Sequence, residues 1–337
     1  MRIAVIGAGA LGGTFATLLS AAGHEVTVTA RGAGLAAIRE RGIRLEGGFG
    51  PATAHPTALE RLVETPDLAL VCTKAQDAEA AIADNAAVLN GAAVIVIQNG
   101  LDGVDTARAL LPGSDCFGAL SIIAANYTEP GLVTVTTVAP TYLGRGTGPA
   151  DAATRHWQAV LAEAVPCQAI DNFVGAQWTK LVVNMLNALP AITGLSAQEV
   201  IADRGLRRLM TASIRENIRI GIANGITFAD LHGLTDRRLR SVARLPLALG
   251  EALPRQFARR MGSVPNPGST QQSIRRGQPS EIDYLNGAVV TAAKSVGLDA
   301  PINAALVELV HEVELSYVFI SPAEVLRRVT ALAGGAF

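Results

Sequence analysis

The sequence has few of the residues that build disulfide-linked or metal-binding proteins. Its 337 residues include three cysteines, too few and too widely spaced for a disulfide framework or a zinc cluster. These three are Cys72, Cys116 and Cys167. They lie in apolar stretches, which is typical of buried free thiols in a reducing compartment. The five histidines show no metal-ligand spacing. We therefore expect a cytoplasmic protein without a metal site.

Charge and hydropathy exclude two further classes of protein. The formal net charge is −1, so no basic field attracts nucleic acid. Apolar residues make up 49% of the chain, but no uninterrupted apolar run approaches the ~20 residues that span a bilayer. We also expect no secretory signal ahead of the first strand. Neither nucleic acid nor a membrane is therefore an expected partner. The length of the chain is sufficient for two domains.

The first sixteen residues, MRIAVIGAGALGGTFA, carry a specific pattern. Residues 2–6 predict a buried parallel strand, and residues 11–22 predict a helix. A G-x-G-x-x-G joins them, formed by Gly7, Ala8, Gly9, Ala10, Leu11 and Gly12. Between a strand and a helix this is the dinucleotide-binding fingerprint, in which Gly7 makes the tight turn, Gly9 admits a pyrophosphate and Gly12 allows close packing. The helix N-terminus offers N–H groups to the anion. A glycine turn that binds no nucleotide is the alternative.

The end of the second predicted strand, residues 24–30, bears on the choice of dinucleotide. A site for NAD usually has Asp or Glu there, which holds the ribose 2′-hydroxyl. This chain has no acid at that position, and Arg31 follows the strand directly. An arginine attracts a 2′-phosphate, so the pattern favours NADP. The alternative is that Arg31 is an ordinary solvated arginine.

Strands and helices alternate over the first half of the chain, which predicts a parallel sheet with ligands at the carboxyl ends of its strands. Predicted strands at 67–72 and 92–97 are followed by Lys74 and by Gln98-Asn99. Both sets of polar groups should therefore share an edge with the glycine turn. From residue 115 onward, short β-rich segments predict antiparallel strands that close the same sheet.

After residue 172 the pattern contains no convincing strand. Helices are predicted at 173–191, 197–202, 204–224, 234–258, 283–295 and 302–317. The change of period predicts a domain boundary near residue 171. We therefore predict a doubly wound, Rossmann-like α/β domain over residues 1–171, followed by an all-α domain over residues 172–337.

Two stretches of the second domain are more polar than helix packing requires. Lys180 and Asn184 are four residues apart and share a helix face, where Lys180 either reaches water or faces a cleft. Ser280-Glu281-Ile282-Asp283 matches a capping box that opens a helix, which gives Glu281 a simple role as a first-turn acid. The turn at Asn266-Pro267-Gly268 leaves the following Ser/Gln run able to line a cleft.

These residues carry a resemblance to a known family. The chain resembles the ketopantoate reductase (2-dehydropantoate 2-reductase) family over nearly its whole length. The matching motifs are the N-terminal glycine turn, Arg31, Thr73-Lys74, Gln98-Asn99-Gly100, Trp-x-Lys-Leu-x-x-Asn and Glu281-Ile282-Asp283-Tyr284-Leu285-Asn286-Gly287. The last two are specific in combination, since they lie about a hundred residues apart.

The resemblance implies a role for each matching position. Lys180 is implied as the catalytic lysine and Glu281 as the acid that works with it, and both are expected to touch the substrate. Asn184 and Ser269 match substrate-site residues. Lys74 and Asn99 match residues of the cofactor and substrate cleft, with Asn99 expected to contact both ligands.

The implied activity is the NADPH-dependent reduction of 2-dehydropantoate to pantoate in pantothenate biosynthesis. Two positions depart from the family pattern: Ser273 follows Gln272 where Asp is common, and Ala188 stands where a further Asn is common. A related 2-oxo acid or β-hydroxy acid dehydrogenase with another substrate is therefore an alternative, as is a non-catalytic NADP-binding sensor. The sequence does not fix the oligomeric state, and a homodimer is one of the open alternatives.

Overall fold

A computed structural model describes residues 1–335. Two compact units divide the chain, the first comprising Met1–Val174 and the second beginning at Gly175. This division lies three residues after the boundary that the sequence predicts (174 − 171). In the described part of the chain, no helix has the length and apolar character needed to cross a membrane.

Alternating strands and helices make up the first unit. Its strands are β1 (Arg2–Ile6), β2 (Glu25–Thr29), β3 (Ile43–Gly47), β4 (Ala52–Ala54), β5 (Thr57–Leu59), β6 (Leu68–Val71), β7 (Ala93–Ile97), β8 (Asp115–Ser121), β9 (Ala124–Glu129), β10 (Leu132–Thr137), β11 (Thr141–Gly144) and β12 (Cys167–Ala169). Its helices are α1 (Ala10–Ala21), α2 (Gly32–Arg41), α3 (Ala75–Ala83), α4 (Ala86–Leu89), α5 (Gly103–Leu110) and α6 (Ala152–Ala162).

The main sheet has 8 strands in the order β12-β11-β8-β7-β6-β1-β2-β5. From β8 to β5 all neighbours are parallel. Strand β11 runs antiparallel to β8, and the edge strand β12 is parallel to β11, so these two strands run opposite to the rest. Helices cover the sheet, so central strands such as β1 and β6 are apolar on both faces, and Val5 and Leu70 are completely buried. The predicted doubly wound α/β fold is confirmed.

A second sheet corrects one part of the prediction. Strands β9 and β10 do not close the main sheet; they join β3 and β4 in a 4-stranded sheet of order β4-β3-β10-β9. In β10, Val133 and Val135 are buried, and Val133 Cγ2 would lie 2.8 Å from a Cβ placed on Gly13 of α1. Helix α1 packs against strands of both sheets, which explains why it is made of small and apolar residues. Alternation predicts a strand, but it does not say which sheet the strand joins.

The second unit is helical. Its helices are α7 (Phe173–Asn184), α8 (Ala188–Thr193), α9 (Ala197–Ala202), α10 (Arg204–Ala223), α11 (Asp236–Arg244), α12 (Leu247–Gly250), α13 (Ala252–Met261), α14 (Gly268–Arg275), α15 (Asn286–Ser295), α16 (Pro301–Ser316) and α17 (Pro322–Leu332), with a 3-10 helix at Ile282–Tyr284. The long α10 contributes fully buried side chains such as Leu209, Met210 and Ile214 to the core. The predicted helical second domain is confirmed.

Several predicted helices are shorter or divided. The segment 173–191 is interrupted between α7 and α8, and 234–258 is divided where Pro246 precedes α12, because proline disfavours helical backbone in the residue before it. Helices α14 and α17 and strands β4 and β5 lie where the sequence pattern predicts none. The last two residues of the predicted second domain, 336 and 337, lie outside the described part.

Candidate active site

The glycine turn between β1 and α1 has the geometry that its sequence predicts. Gly7 has a φ of +92°, and its N–H donates to the backbone oxygen of Thr29 at 3.3 Å and to its Oγ1 at 3.2 Å. A Cβ on Gly7 would lie 2.8 Å from Thr73 Cγ2, and one on Gly12 would collide with the Gly7 carbonyl oxygen. Both positions therefore require glycine for reasons internal to the protein.

Gly9 differs from the other two glycines of the turn. A Cβ built on it has no protein atom within 4 Å, so no contact of the fold excludes a larger side chain there. Helix α1 begins at the next residue, and the N–H groups of a helix's first turn have no partner within the helix. The turn thus offers an open cradle lined by backbone donors, which fits a dinucleotide pyrophosphate.

The ends of three neighbouring strands meet beside this turn. Gln98, after β7, donates from Nε2 to the backbone oxygen of Thr73 at 2.8 Å and to its Oγ1 at 3.3 Å. Thr73 follows β6 and adjoins Gly7 of the β1 turn. Lys74 and Asn99, each next to one of these linked residues, are half-buried. The structure therefore brings Lys74 and Asn99 to the edge that carries the glycine turn.

Arg31 is the residue directly before α2, and its side chain is 72% exposed. Its Nη2 lies 2.8 Å from Asp84 Oδ2, and the other oxygen of Asp84 lies 3.1 Å from Arg61 Nη2. The strand tip itself lacks an acid, as the sequence shows, but Asp84 brings a carboxylate there from the end of α3. Sequence inspection missed Arg61 because the short strand β5 that precedes it was not predicted.

Lys180 and Glu281 come together in the second unit. Lys180 lies on α7 one turn before Asn184, and both are half-buried. Burial is the larger effect and lowers the pKa of the Lys180 ammonium, whereas the negative charge of Glu281 raises it. The net result is a pKa of about 8. A lysine with this pKa gives up its proton far more readily than an ordinary surface lysine. The arrangement supplies an acid that is charged near neutral pH and next to a carboxylate.

The segment around Glu281 is not the predicted capping box. Ser280 Oγ accepts from the N–H of Ile282 at 3.3 Å, and the Asp283 carboxylate faces His311 Nε2 at 3.0 Å. A short 3-10 turn follows Glu281, and α15 starts only at Asn286, where the sequence predicts a start at 283. Glu281 therefore lies outside the first turn of an α-helix, and the role as a helix-dipole partner is wrong.

Ser269 lies in the first turn of α14 and is exposed. The Ser/Gln run is helical from Gly268 to Arg275, and its place along a cleft stays a prediction. Gln271 is buried and donates from Nε2 to the backbone oxygens of Pro190 at 2.9 Å and Leu195 at 3.3 Å. Part of the polar run therefore serves packing against α8.

Comparisons with known proteins agree with this geometry. Two family models match the chain: one described as ketopantoate reductase PanE/ApbA over residues 3–148, and its C-terminal counterpart over residues 172–314. The crystal structure of a PanE/ApbA family ketopantoate reductase from Ralstonia eutropha JMP134 is 30% identical, covers 94% of this chain and 99% of its own, and has a TM-score of 0.80. This chain belongs to the ketopantoate reductase family. The family resemblance seen in the sequence is confirmed, and the protein is an oxidoreductase of a dinucleotide-dependent family.

Two further proteins are similar to this ketopantoate reductase family member at lower identity. A 2-dehydropantoate 2-reductase from Pyrococcus abyssi is 26% identical over 313 residues, which cover 91% of this chain and 95% of that protein. A ternary structure of D-mandelate dehydrogenase with NADH and anilino(oxo)acetate has a TM-score of 0.79 at 22% identity and covers 94% of this chain and 99% of its own. At that identity the likeness shows a shared fold.

The two positions that depart from the family pattern lie on different helices. Ala188 is the first residue of α8 and is completely buried, and Ser273 is half-buried on α14. Within residues 1–335, no group of three or more His, Cys, Asp or Glu side chains has the arrangement of a metal site.

Proposed function

We propose that this protein reduces the ketone of 2-dehydropantoate to the alcohol of pantoate with NADPH. The observation that carries the proposal is the pairing of Lys180, whose pKa is lowered to about 8, with Glu281 in the helical unit of a ketopantoate reductase family member. Reduction of a ketone places negative charge on its oxygen, and a nearby ammonium can stabilise that charge and donate the proton. The pair has the chemistry for that step.

Each residue has a distinct task in this proposal. The cofactor supplies the hydride when bound. Lys180 hydrogen-bonds the substrate carbonyl oxygen and then transfers a proton from Nζ to it. Glu281 raises the pKa of Lys180 against the effect of burial, so that more of the lysine is charged at a given pH. Asn184, one turn along α7, is neutral and positions the substrate without changing the local charge. Ser269 is proposed to contact the substrate.

The first unit holds the cofactor in this proposal. The open position at Gly9 and the start of α1 receive the pyrophosphate, with the rest of the turn from Gly7 to Gly12 around it. Lys74 and Asn99 lie on the same edge and face the cofactor, and Asn99 also contacts the substrate. Arg31 binds the 2′-phosphate, which favours NADPH over NADH.

A second candidate is the same reduction of a different 2-oxo acid. It is supported by the departure at Ala188, where a buried methyl group replaces an amide common in the family. The similarity to D-mandelate dehydrogenase, with a TM-score of 0.79, points in the same direction.

The loss of NADPH absorbance separates the two candidates. The purified protein is assayed with ketopantoate, 2-oxoisovalerate and phenylglyoxylate at equal concentrations. Ketopantoate should have the highest kcat/KM, because polar groups that pair with its hydroxyl are left unpaired by the analogues. A higher kcat/KM for either analogue supports the second candidate. Absence of turnover with every 2-oxo acid, despite NADPH binding, would support the sensor alternative.

The cellular setting stays a prediction. The cytoplasm is supported by the three cysteines, all of which are free thiols. The near-zero net charge supports small molecules, and not nucleic acid, as partners. A homodimer is an outcome that light scattering would establish.

A further inference from the structure

Arg31 and Arg61 occupy equivalent places on two neighbouring strands. Strands β2 and β5 are parallel, and their last residues, Thr29 and Leu59, lie opposite each other. Each arginine comes two residues after that pair, so both leave the sheet at the same edge. Their side chains are 72% and 66% exposed. Two guanidinium groups are therefore available side by side where the second strand of a dinucleotide-binding fold ends.

Both guanidinium groups bind one carboxylate. Arg31 Nη2 lies 2.8 Å from Asp84 Oδ2, and Arg61 Nη2 lies 3.1 Å from Asp84 Oδ1. Each oxygen of Asp84 thus has its own arginine. Two forks that converge on separate oxygens of one anion also suit a phosphate monoester, which offers three oxygens and a larger negative charge.

The backbone around Asp84 is held in place by its neighbour. Asn85 is 4% exposed, donates from Nδ2 to the Ala81 backbone oxygen at 2.8 Å and accepts at Oδ1 from the Leu62 N–H at 2.7 Å. This contact joins the residue after Asp84 to the residue after Arg61. The carboxylate is therefore fixed close to the two arginines by the fold, whereas the long arginine side chains are exposed and can turn toward another anion.

We propose that Arg61 is a second ligand of the cofactor's 2′-phosphate beside Arg31, and that Asp84 is an internal competitor that occupies the same guanidinium groups when no phosphate is bound. This inference rests on the proposed use of NADP(H). The two arginines and one aspartate carry a summed charge of +1, which attracts a phosphate but less strongly than the arginines alone. Asp84 therefore limits the preference for NADPH over NADH.

Substitutions of Arg61 and of Asp84 should change NADPH binding in opposite directions. Arg61→Ala removes a charged donor and should weaken NADPH binding roughly threefold to thirtyfold, since the contact is charged but largely exposed. Asp84→Asn removes the competing charge and should tighten NADPH binding on the order of threefold to tenfold. Neither change should alter NADH binding, because NADH has no 2′-phosphate.

Titration calorimetry of the full chain with NADPH and with NADH tests this inference. The matched controls are Arg44→Ala and Glu46→Gln, which change another exposed ion pair of the same unit, with 3.3 Å between Arg44 Nε and Glu46 Oε1. Support requires that Arg61→Ala and Asp84→Asn shift the NADPH Kd in opposite directions with the NADH Kd constant, while the controls leave both constants unchanged.

The remaining outcomes overturn the inference. If Arg61→Ala binds NADPH as wild type does, or loses NADPH and NADH equally, Arg61 is no 2′-phosphate ligand. If Asp84→Asn fails to tighten NADPH binding, Asp84 is no competitor. Wild-type protein that binds neither nucleotide overturns the proposed function together with this inference. An NADPH Kd that is the same in Arg61→Ala as in wild type overturns this inference but leaves the proposed function intact.

Discussion

The backbone N–H of Ser280 donates to Glu314 Oε1 at 2.8 Å, which ties the residue before Glu281 to helix α16. The other oxygen of Glu314 lies 2.8 Å from His311 Nδ1, and His311 Nε2 lies 3.0 Å from Asp283 Oδ1. Glu281 is therefore flanked on both sides by residues that α16 holds. The segment that carries Glu281 is thus held in part by His311, a histidine that the sequence analysis did not single out.

Replacement of His311 by alanine should loosen this segment. Burial opposes the charged form of His311, but the hydrogen bonds to Asp283 and Glu314 outweigh that effect and raise its pKa. A raised pKa means that the stabilisation is complete below the unfolded value of about 6.5 and is lost as pH rises through the folded value. The Tm difference between wild type and His311→Ala should therefore be larger at pH 6 than at pH 9. His156→Ala, which changes an exposed histidine, serves as the control, and a Tm difference independent of pH would contradict the expectation.

The glycine turn allows cofactor binding and folding to be separated. Gly9→Val adds a side chain into open space, so the Tm should change little, but NADPH binding should be abolished because the side chain takes the place of the pyrophosphate. Gly12→Ala forces a Cβ against the Gly7 carbonyl and should lower the free energy of unfolding by about 1–3 kcal/mol. Fluorescence titration and thermal melts measure both quantities. NADPH binding retained by Gly9→Val would show that the turn is only structural.

Local patterns predicted the elements whose causes are local. The strand β1, the glycine turn and the helix α1 follow one another in the chain, and their predicted bounds agree with the structure within one residue. The pattern could not place β9 and β10 in a second sheet, because β10 pairs not only with its neighbour β9 but also with β3, a strand nearly ninety residues earlier. Helix α1 packs against both β3 and β10, and no local stretch of sequence contains these contacts.

In the candidate site, too, the sequence predicted what local spacing determines and missed what long-range contacts determine. Lys180 and Asn184 share a face because of helical spacing, which the sequence displays directly. The pairing of Arg61 with Asp84 and the contact of His311 with Asp283 join distant segments. The capping-box prediction for Ser280 to Asp283 was wrong because these long-range contacts engage the backbone of Ser280 and the side chain of Asp283.

Lys180→Ala should lower kcat by ~10²–10⁴-fold, the range that general acid catalysis contributes. NADPH affinity should be kept, because the residues proposed to hold the pyrophosphate lie in the other unit. The matched control is Lys294→Ala on α15, which removes an exposed lysine of the same unit and should leave kcat unchanged. Steady-state kinetics and calorimetry provide the two readouts. Normal turnover in Lys180→Ala would remove the proposed mechanism.

The pH dependence of reduction follows from the lowered pKa of Lys180. Only the charged lysine can donate the proton, and its pKa is about 8. The kcat/KM for ketone reduction, which reports groups of the free enzyme, should therefore be level below that pH and fall about tenfold per pH unit above it. Oxidation of the alcohol needs the neutral amine and should show the opposite trend. A reduction rate that stays level to pH 10 would assign the proton to another donor.

Glu281→Gln tests the coupling between the two residues, because it preserves the shape of the side chain and removes its charge. The carboxylate raises the pKa of Lys180, so its loss should lower that pKa further and move the descending limb of kcat/KM to a pH below about 8. At a fixed pH near 8, the variant should also be slower, since less of Lys180 is charged. Glu308→Gln, on the exposed side of α16, provides the control and should leave the limb in place. If Glu281→Gln reduces the rate equally at every pH, Glu281 acts on the substrate and not through the ionisation of Lys180. A limb and a rate that both match wild type would show that the two residues are not coupled.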